Sequence, residues 1–345
     1  MSWYGIDAVG KSFTRTNKTL FEPFEFRKWA ILAIIILLGG MSSSWSPNIP
    51  TQMYTEDFGH DFQDIEVDHS SEMPFDSMGF DLDSIHYPEF TWLLVAGIVI
   101  ILLILLFFLY VSNVMQFVFV EALVRNEVYF WAYSRRFLKK GFYLLLIRLA
   151  LGLLFLIFLG IALLPFALKI LHGSPQDLNW VALLGGFFWL MAVIMALSLI
   201  MSAIDSFLGL AIPVSIYQET GILSAFKKLL GNFRKSWKEV LVYWLVRFIQ
   251  GIVIAILLAI LLLLLVVGLG LIFLIFDGIL YLIFSAVLSG SLPWLLLTPF
   301  VLVELLLFLI AVLLLNVPFS VYIKYHMLSF LGMWYVEAGI PFYDE

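Results

Sequence analysis

Long apolar runs alternate along the chain with short segments in which charge concentrates. The runs are Trp29 to Trp45, Thr91 to Val120, Phe142 to Leu168, Trp180 to Tyr217, Val240 to Phe276 and Leu292 to Tyr322. A segment of about 20 residues rising about 1.5 Å per residue crosses a hydrocarbon core about 30 Å thick. Only helices can carry such segments, because backbone groups facing lipid find no other partners. The pattern predicts an all-α, polytopic integral membrane bundle of about six transmembrane helices, forming one domain over 29–345 behind an amphipathic segment over 1–28. That first segment has neither a signal-peptide apolar core nor a small-residue cleavage site, so Trp29 onward reads as a retained helix.

Two places strain a count of six. Val240 to Phe276 would measure roughly 55 Å as one straight helix, so it must tilt, kink or project, with Gly268 and Gly270 as weak points. The short apolar run Leu280 to Leu288 is too short to cross and reads as an interfacial or re-entrant piece. The alternative is a seventh span there, which would move Lys324 and the C-terminus to the other side.

Composition agrees with the periodicity. Hydrophobic residues make up 63% of the chain and charged ones 13%, against about 45–50% and about 25% in an ordinary soluble domain. A water-soluble fold is excluded on that ground. There is no cysteine, which removes disulfides, thiolate nucleophiles and cysteine-ligated metals.

Charge then orients the bundle. Trp45 to Phe90 holds 11 acidic side chains and no Lys or Arg, so the net charge of −6 conceals a remainder of +5. Lys11, Arg15, Lys18, Arg27 and Lys28 precede the first run, and Arg125, Arg135, Arg136, Lys139 and Lys140 lie between the second and third. Lys227, Lys228, Arg234, Lys235 and Lys238 lie between the fourth and fifth. By the positive-inside rule these segments and both termini are cytoplasmic, the acidic segment 45–90 is outside, and the protein sits in the cell membrane.

The chain also repeats itself. A shift of 99 positions without gaps superposes Arg135, Arg136, Lys139, Arg148 and Gly152 on Arg234, Lys235, Lys238, Arg247 and Gly251. Pro213, Ser215 and Tyr217 echo Pro318, Ser320 and Tyr322. The repeated unit reads as an inward helix, a corner, a basic amphipathic helix on the cytoplasmic interface, and an outward helix. Ile222, Phe226, Leu229, Leu230, Phe233 and Trp237 share one face of the clearest such helix. Lys227, Lys228, Arg234, Lys235 and Lys238, with Arg135, Arg136 and Lys139 of the earlier copy, are then candidate contacts for anionic lipid headgroups. The competing reading is a solvated loop whose charge only sets topology. Trp3, Ile6, Val9, Gly10 and Phe13 form a weaker apolar face in the first segment.

Ionisable groups inside spans cost about 2.5–3.5 kcal/mol at a helix centre and need a partner or a purpose. Arg148 and Arg247 lie near the depth of Glu121 and Asp205. The economical reading pairs each arginine with an acid of the preceding helix; snorkelling to the headgroups and an ion or substrate path past Ser198, Ser202, Asp205 and Ser206 are the alternatives. Glu304 falls toward the outer side with no matching acid on another span and reads as a packing residue. Asp57, Asp61, Asp64 and Asp68 share one face of a possible outer helix near His60 and His69, yet no EF-hand or His-Glu-x-x-His pattern accompanies them. No metal site and no cofactor is expected. No P-loop, dinucleotide fingerprint or nucleophile motif is present, Ser289-Gly290-Ser291 lies in an outer turn, and the basic clusters mark a membrane surface rather than nucleic acid.

The stretch AIPVSIYQETGILSAFKKLLGNFRKSWKEVLVYWLVR, Ala211 to Arg247, resembles the repeated signature of a broad group of prokaryotic membrane proteins. That group includes the membrane portion of some bacterial glycerophosphoryl diester phosphodiesterases. The whole chain is similar to archaeal membrane proteins of unknown function in its opening (Met1, Trp3, Ile6, Asp7, Ala8), in PFEFRKW, and in its close (Pro318, Val321, Tyr325). The resemblance implies a fold and a membrane setting and no activity, since the phosphodiesterase domain has no counterpart here. Two readings follow: a non-catalytic scaffold or accessory subunit of a membrane assembly, with lipids, a homo-oligomer or a complex as partners, or a transporter or lipid-handling protein. Sparse paired charges favour the first, and polar residues gathered on one buried stripe the second.

Overall fold

The computed structural model describes residues 3–40, 88–172, 180–288, 290 and 292–344. Among them the fold is all-α: α1 (Tyr4–Phe21), α2 (Phe26–Gly40), α3 (Pro88–Arg125), α4 (Phe130–His172), α5 (Trp180–Tyr217), α6 (Ile222–Lys235), α7 (Trp237–Val287) and α8 (Leu292–Trp334), then a 3-10 turn at Val336–Ala338. Five of these, α3, α4, α5, α7 and α8, are long and apolar enough to cross a membrane. The first expected crossing is described to Gly40 as α2, and its last residues lie outside the described segments, as does nearly all of the acidic segment with its aspartates and histidines.

Two units separate, 1–49 with 110–345, and 50–109. The described part of the smaller one is the N-terminal portion of α3, whose Trp92, Ile98, Leu103 and Phe107 are all exposed. The larger unit holds the core, and its burial is uneven along every long helix. On α4 the side chains are buried at Phe137 and Leu144 and exposed at Leu149, Leu153, Leu156 and Phe158; on α5 they are exposed at Phe187, Trp189, Met195 and Ile200 and buried at Phe207, Leu208 and Leu210. Tyr243 of α7 is buried and Leu245 exposed, and on α8 Leu295, Leu302, Leu305 and Leu309 are exposed whereas Val317, Val321, Tyr325 and Leu328 are buried. Each of these helices thus has one half packed into the core and another along which large apolar side chains stay exposed, a distribution that a lipid or another apolar surface satisfies.

The packed layer is tight. Gly141 of α4 lies against α3 so closely that a Cβ there would stand 3.0 Å from Val114 Cα, and Phe117 stacks on Phe137 at 5.7 Å. Gly5 brings α1 onto the backbone of Tyr243, where a Cβ would stand 3.0 Å from its Cα. Beside that contact, Tyr243 stacks on His326 at 5.4 Å and on Phe330 at 4.2 Å, and Phe330 on Trp334 at 5.6 Å. The C-terminal residues fold back over the layer: the Tyr343 amide donates to the Val124 carbonyl at 3.2 Å, and Arg15 bonds Asp344 at 3.0 Å with its guanidinium 3.5 Å from the centre of the Phe342 ring.

Three expectations are corrected. The run Leu280 to Leu288 is no re-entrant piece, because α7 continues unbroken through Gly268 and Gly270 to Val287 and is 51 residues long, about 76 Å at about 1.5 Å per residue. The last helix does not end at Tyr322: α8 accommodates Pro318 and runs to Trp334. The first basic cluster is not a separate interfacial helix, since Arg135, Arg136 and Lys139 sit on the opening turns of α4 itself. In the second copy the chain does break, at Ser236, whose Oγ accepts from Trp334 Nε1 at 2.8 Å; the position equivalent by the 99-residue shift is Phe137, which is buried. α1 buries Ala8, Ser12, Arg15 and Thr19 and leaves Trp3, Ile6 and Phe13, the apolar face read from the sequence, exposed.

Candidate functional site

Polar side chains from several helices meet where the packed layer gives way to the exposed apolar halves. Asn113 and Gln116 share one face of α3 by their spacing of three, and both reach Arg148 of α4. Arg148 Nη1 donates to Asn113 Oδ1 at 2.8 Å, and Nη2 donates to Gln116 Oε1 at 3.2 Å and to Asp205 Oδ1 of α5 at 3.0 Å. The Arg148 and Asp205 side chains are 15% and 21% exposed, so this pair is largely shielded from water. Next to it, Trp244 Nε1 donates to Ser206 Oγ at 3.0 Å, and Gln250 donates to the Tyr322 hydroxyl at 2.9 Å.

Gln116, Arg148, Asp205 and Ser206 border a cavity of about 130 Å³, whose walls also include Arg247, Ser320 and Lys324. Arg247 comes from α7 and also bonds the Tyr243 hydroxyl. Lys324 lies on α8 within electrostatic range of Arg148, Arg247 and Asp205. Among the described residues, the side chains of two arginines, one lysine and one aspartate thus line a single space. Gly209 also lines it, and Pro213, four residues on, supplies no N–H to that glycine's carbonyl.

The pairing differs from the expected one. Arg148 takes Asp205, from the helix that follows it, rather than an acid from the helix before. Glu121 is fully buried and is held by Arg125 Nε at 2.7 Å, Arg136 Nη1 at 3.0 Å and the Tyr217 hydroxyl, which donates at 3.2 Å. Arg136, read from the sequence as a headgroup contact, thus faces Glu121 with its side chain 49% exposed. Arg135 and Lys139 are exposed, as are Lys227, Lys228, Arg234, Lys235 and Lys238, with Lys228 Nζ donating to Gln218 Oε1 at 2.8 Å. The apolar face of α6 is partly covered by protein: Phe226 and Phe233 meet Phe207 edge-on at 6.4 Å and 5.2 Å.

Glu304 also departs from expectation. It is buried, and its carboxyl lies beside that of Asp277 on α7. The sequence hid this pair because Asp277 fell between two segments assigned to different elements. At the other end of the molecule, Lys28 donates to the Thr19 carbonyl at 2.7 Å and to Asn126 Oδ1 at 2.5 Å. Burial holds its amine below the ordinary lysine range, with Glu25 opposing. Among the described residues no group of three or more acids and histidines is placed to hold a metal ion.

Sequence reasoning singled out Arg148, Asp205 and Arg247 and missed Lys324, Asn113 and Gln116. The last two carried a signal, being the only amides in the second apolar run. Lys324 carried none, because it lay beyond the span assigned to its helix.

A helical chain with five helices able to cross a membrane, and a polar cluster in their midst, is the class of protein the fold defines. The chain belongs to a family of unknown function (DUF7544), whose model matches residues 3–340. No curated protein and no solved structure matches it.

Proposed function

We propose that the chain is a non-catalytic integral membrane protein, crossing the cell membrane six times with both termini in the cytoplasm, and serving as a scaffold or accessory subunit of a membrane assembly. The observation that carries this reading is the division of each long helix. The apolar halves of α4, α5, α7 and α8 leave large side chains such as Phe158, Trp189, Phe248 and Leu305 exposed, while the basic segments, α1, α6 and the C-terminal residues gather in the packed layer. An apolar surface of that extent suits lipid and neighbouring helices, and a basic layer beside it suits the cytoplasmic headgroups. The orientation rests on the cation distribution in the sequence.

A second reading, a lipid-handling protein, is favoured by the cavity between Arg148, Arg247 and Lys324, which gathers polar groups that the sequence scattered. Gentle solubilisation of native membranes, affinity purification and mass spectrometry of the intact assembly separate the two. The scaffold reading expects a stoichiometric protein partner or a homo-oligomer. A monomer that retains stoichiometric lipid and no protein partner would replace it with the second.

A further inference from the structure

We infer that Asp277 and Glu304 form a docking site on the α7–α8 pair for a transmembrane helix of another protein, one that carries a basic side chain at their depth. The inference rests on the membrane reading proposed above and names the chemistry of the partner that the scaffold reading expects. Between Arg247 and Lys324 these two acids are the only charged residues in the sequence, and α7 and α8 bring them side by side. Glu304 is 8% exposed. Among the described residues no hydrogen-bond donor reaches Glu304 Oε1 or Asp277 Oδ1, and both atoms are shielded from solvent. Asp277 lies 10 residues before Val287, the end of α7, and Glu304 lies 12 residues after Leu292, the start of α8. At about 1.5 Å per residue these are about 15 and 18 Å of helix, about half of a hydrocarbon core roughly 30 Å thick. Acids at such a depth are costly and need a partner, and the sequence from 248 to 323 supplies no cation.

Position and chemistry select the kind of partner. Phe300, Val301 and Leu307, three or four residues from Glu304 on α8, are exposed, as is Leu274, three residues from Asp277 on α7. Residues at that spacing share a helix face, so the acids sit within an exposed apolar stripe of the kind a neighbouring transmembrane helix covers. Asp277 itself is half-buried, which leaves the pair open on that side. A metal ion takes several protein ligands, and among the described residues no third acid or histidine joins these two. A guanidinium or ammonium group brings its own donors, and an arginine fork matches carboxylate oxygens directly. Through the same stripe a second copy of the chain would meet acid with acid, so the complementary charge comes from a different chain.

The test uses the full-length chain in phosphatidylcholine bicelles, titrated with a fluorescently labelled, leucine-rich single-span helix carrying one arginine at its centre, and with the same helix carrying leucine there. The parent should bind one equivalent of the arginine helix at least tenfold more tightly than the leucine helix. D277N and E304Q should each reduce that preference severalfold, and D277N/E304Q should abolish it. E304Q relieves the contact of two acids and should raise the Tm of the chain without peptide, so its weaker binding is distinct from damage to the fold. In purifications from native membranes, a partner chain retained by the parent should be lost from D277N/E304Q. Equal binding of the two helices by the parent, or a preference that D277N/E304Q keeps, overturns the proposal. A homo-oligomer alone, or a partner that stays with D277N/E304Q, overturns it and leaves the scaffold reading standing; a parent that retains no protein at all overturns both.

Discussion

Glu121 sets the electrostatics of the packed layer. Its carboxylate is fully buried and takes three donors, two of them cationic. The arginines are about half exposed and regain water when the acid is removed, so the loss falls mainly on charge-assisted hydrogen bonds. Glu121→Gln should cost about 1.5–3 kcal/mol, read as a lowered Tm in detergent, whereas Arg125→Gln should cost under about 1 kcal/mol because that side chain is half exposed. Equal losses would show that burial of Glu121 is not what matters. Asp277 and Glu304 make the second residue-scale prediction. Glu304→Gln puts an amide donor beside the Asp277 carboxyl in place of a second acid, so it should raise the Tm in detergent; a lowered Tm would mean that the two carboxyls are not in contact. Neither pairing could be read from the sequence in full, because an ion pair is set by the rotation of two helices about their axes, and rotation is fixed by packing that hydropathy does not encode.

At the scale of elements, close approach rather than propensity places the helices. Gly141 is the clearest case: a Cβ there would meet Val114 Cγ2 at 2.4 Å and Val114 Cα at 3.0 Å, and no rotamer relieves a backbone contact. Gly141→Ala should destabilise the chain by about 1–3 kcal/mol. Gly152→Ala, on the same helix with nothing within 4 Å of the added methyl, should stabilise it by about 0.5–1 kcal/mol. Thermal melts of the two variants compare them directly, and a neutral Gly141→Ala would contradict the α3–α4 contact. The two glycines look alike in sequence, and only the neighbour across the interface separates them. Helix existence was legible, since long apolar runs leave few options: α5 spans Trp180–Tyr217, the same residues as the run. Helix ends were less so. α7 and α8 continue past the apolar runs because their ends are stabilised by the packed layer and by α7–α8 contacts, such as Tyr281 with Trp294 at 4.7 Å, not by hydropathy. The repeat aligns Phe137 with Ser236, and that one difference separates a continuous helix from a broken one, a consequence visible only once Ser236 meets Trp334.

For the whole molecule, helix length sets the account. α7 and α8 have 51 and 43 residues, about 76 and 65 Å at about 1.5 Å per residue, well beyond the roughly 40–45 Å of a complete bilayer. The surplus is where burial begins on α8, in Val317 to Trp334, so the packed layer projects from the hydrocarbon on the basic side in the proposed orientation. An even number of crossings with both termini on that side is the claim on which the scaffold reading depends. Single cysteines test it without background, because the chain has none. Thr14 and Ser224 are exposed on α1 and α6 and suit the purpose better than Ser134, which is buried, or Ser236, which bonds Trp334. In intact cells a membrane-impermeant thiol reagent should label Ser70→Cys and Ser84→Cys and leave Thr14→Cys and Ser224→Cys unlabelled until the membrane is opened. Labelling of Thr14→Cys or Ser224→Cys in sealed cells, with protection of Ser70→Cys and Ser84→Cys, would contradict it.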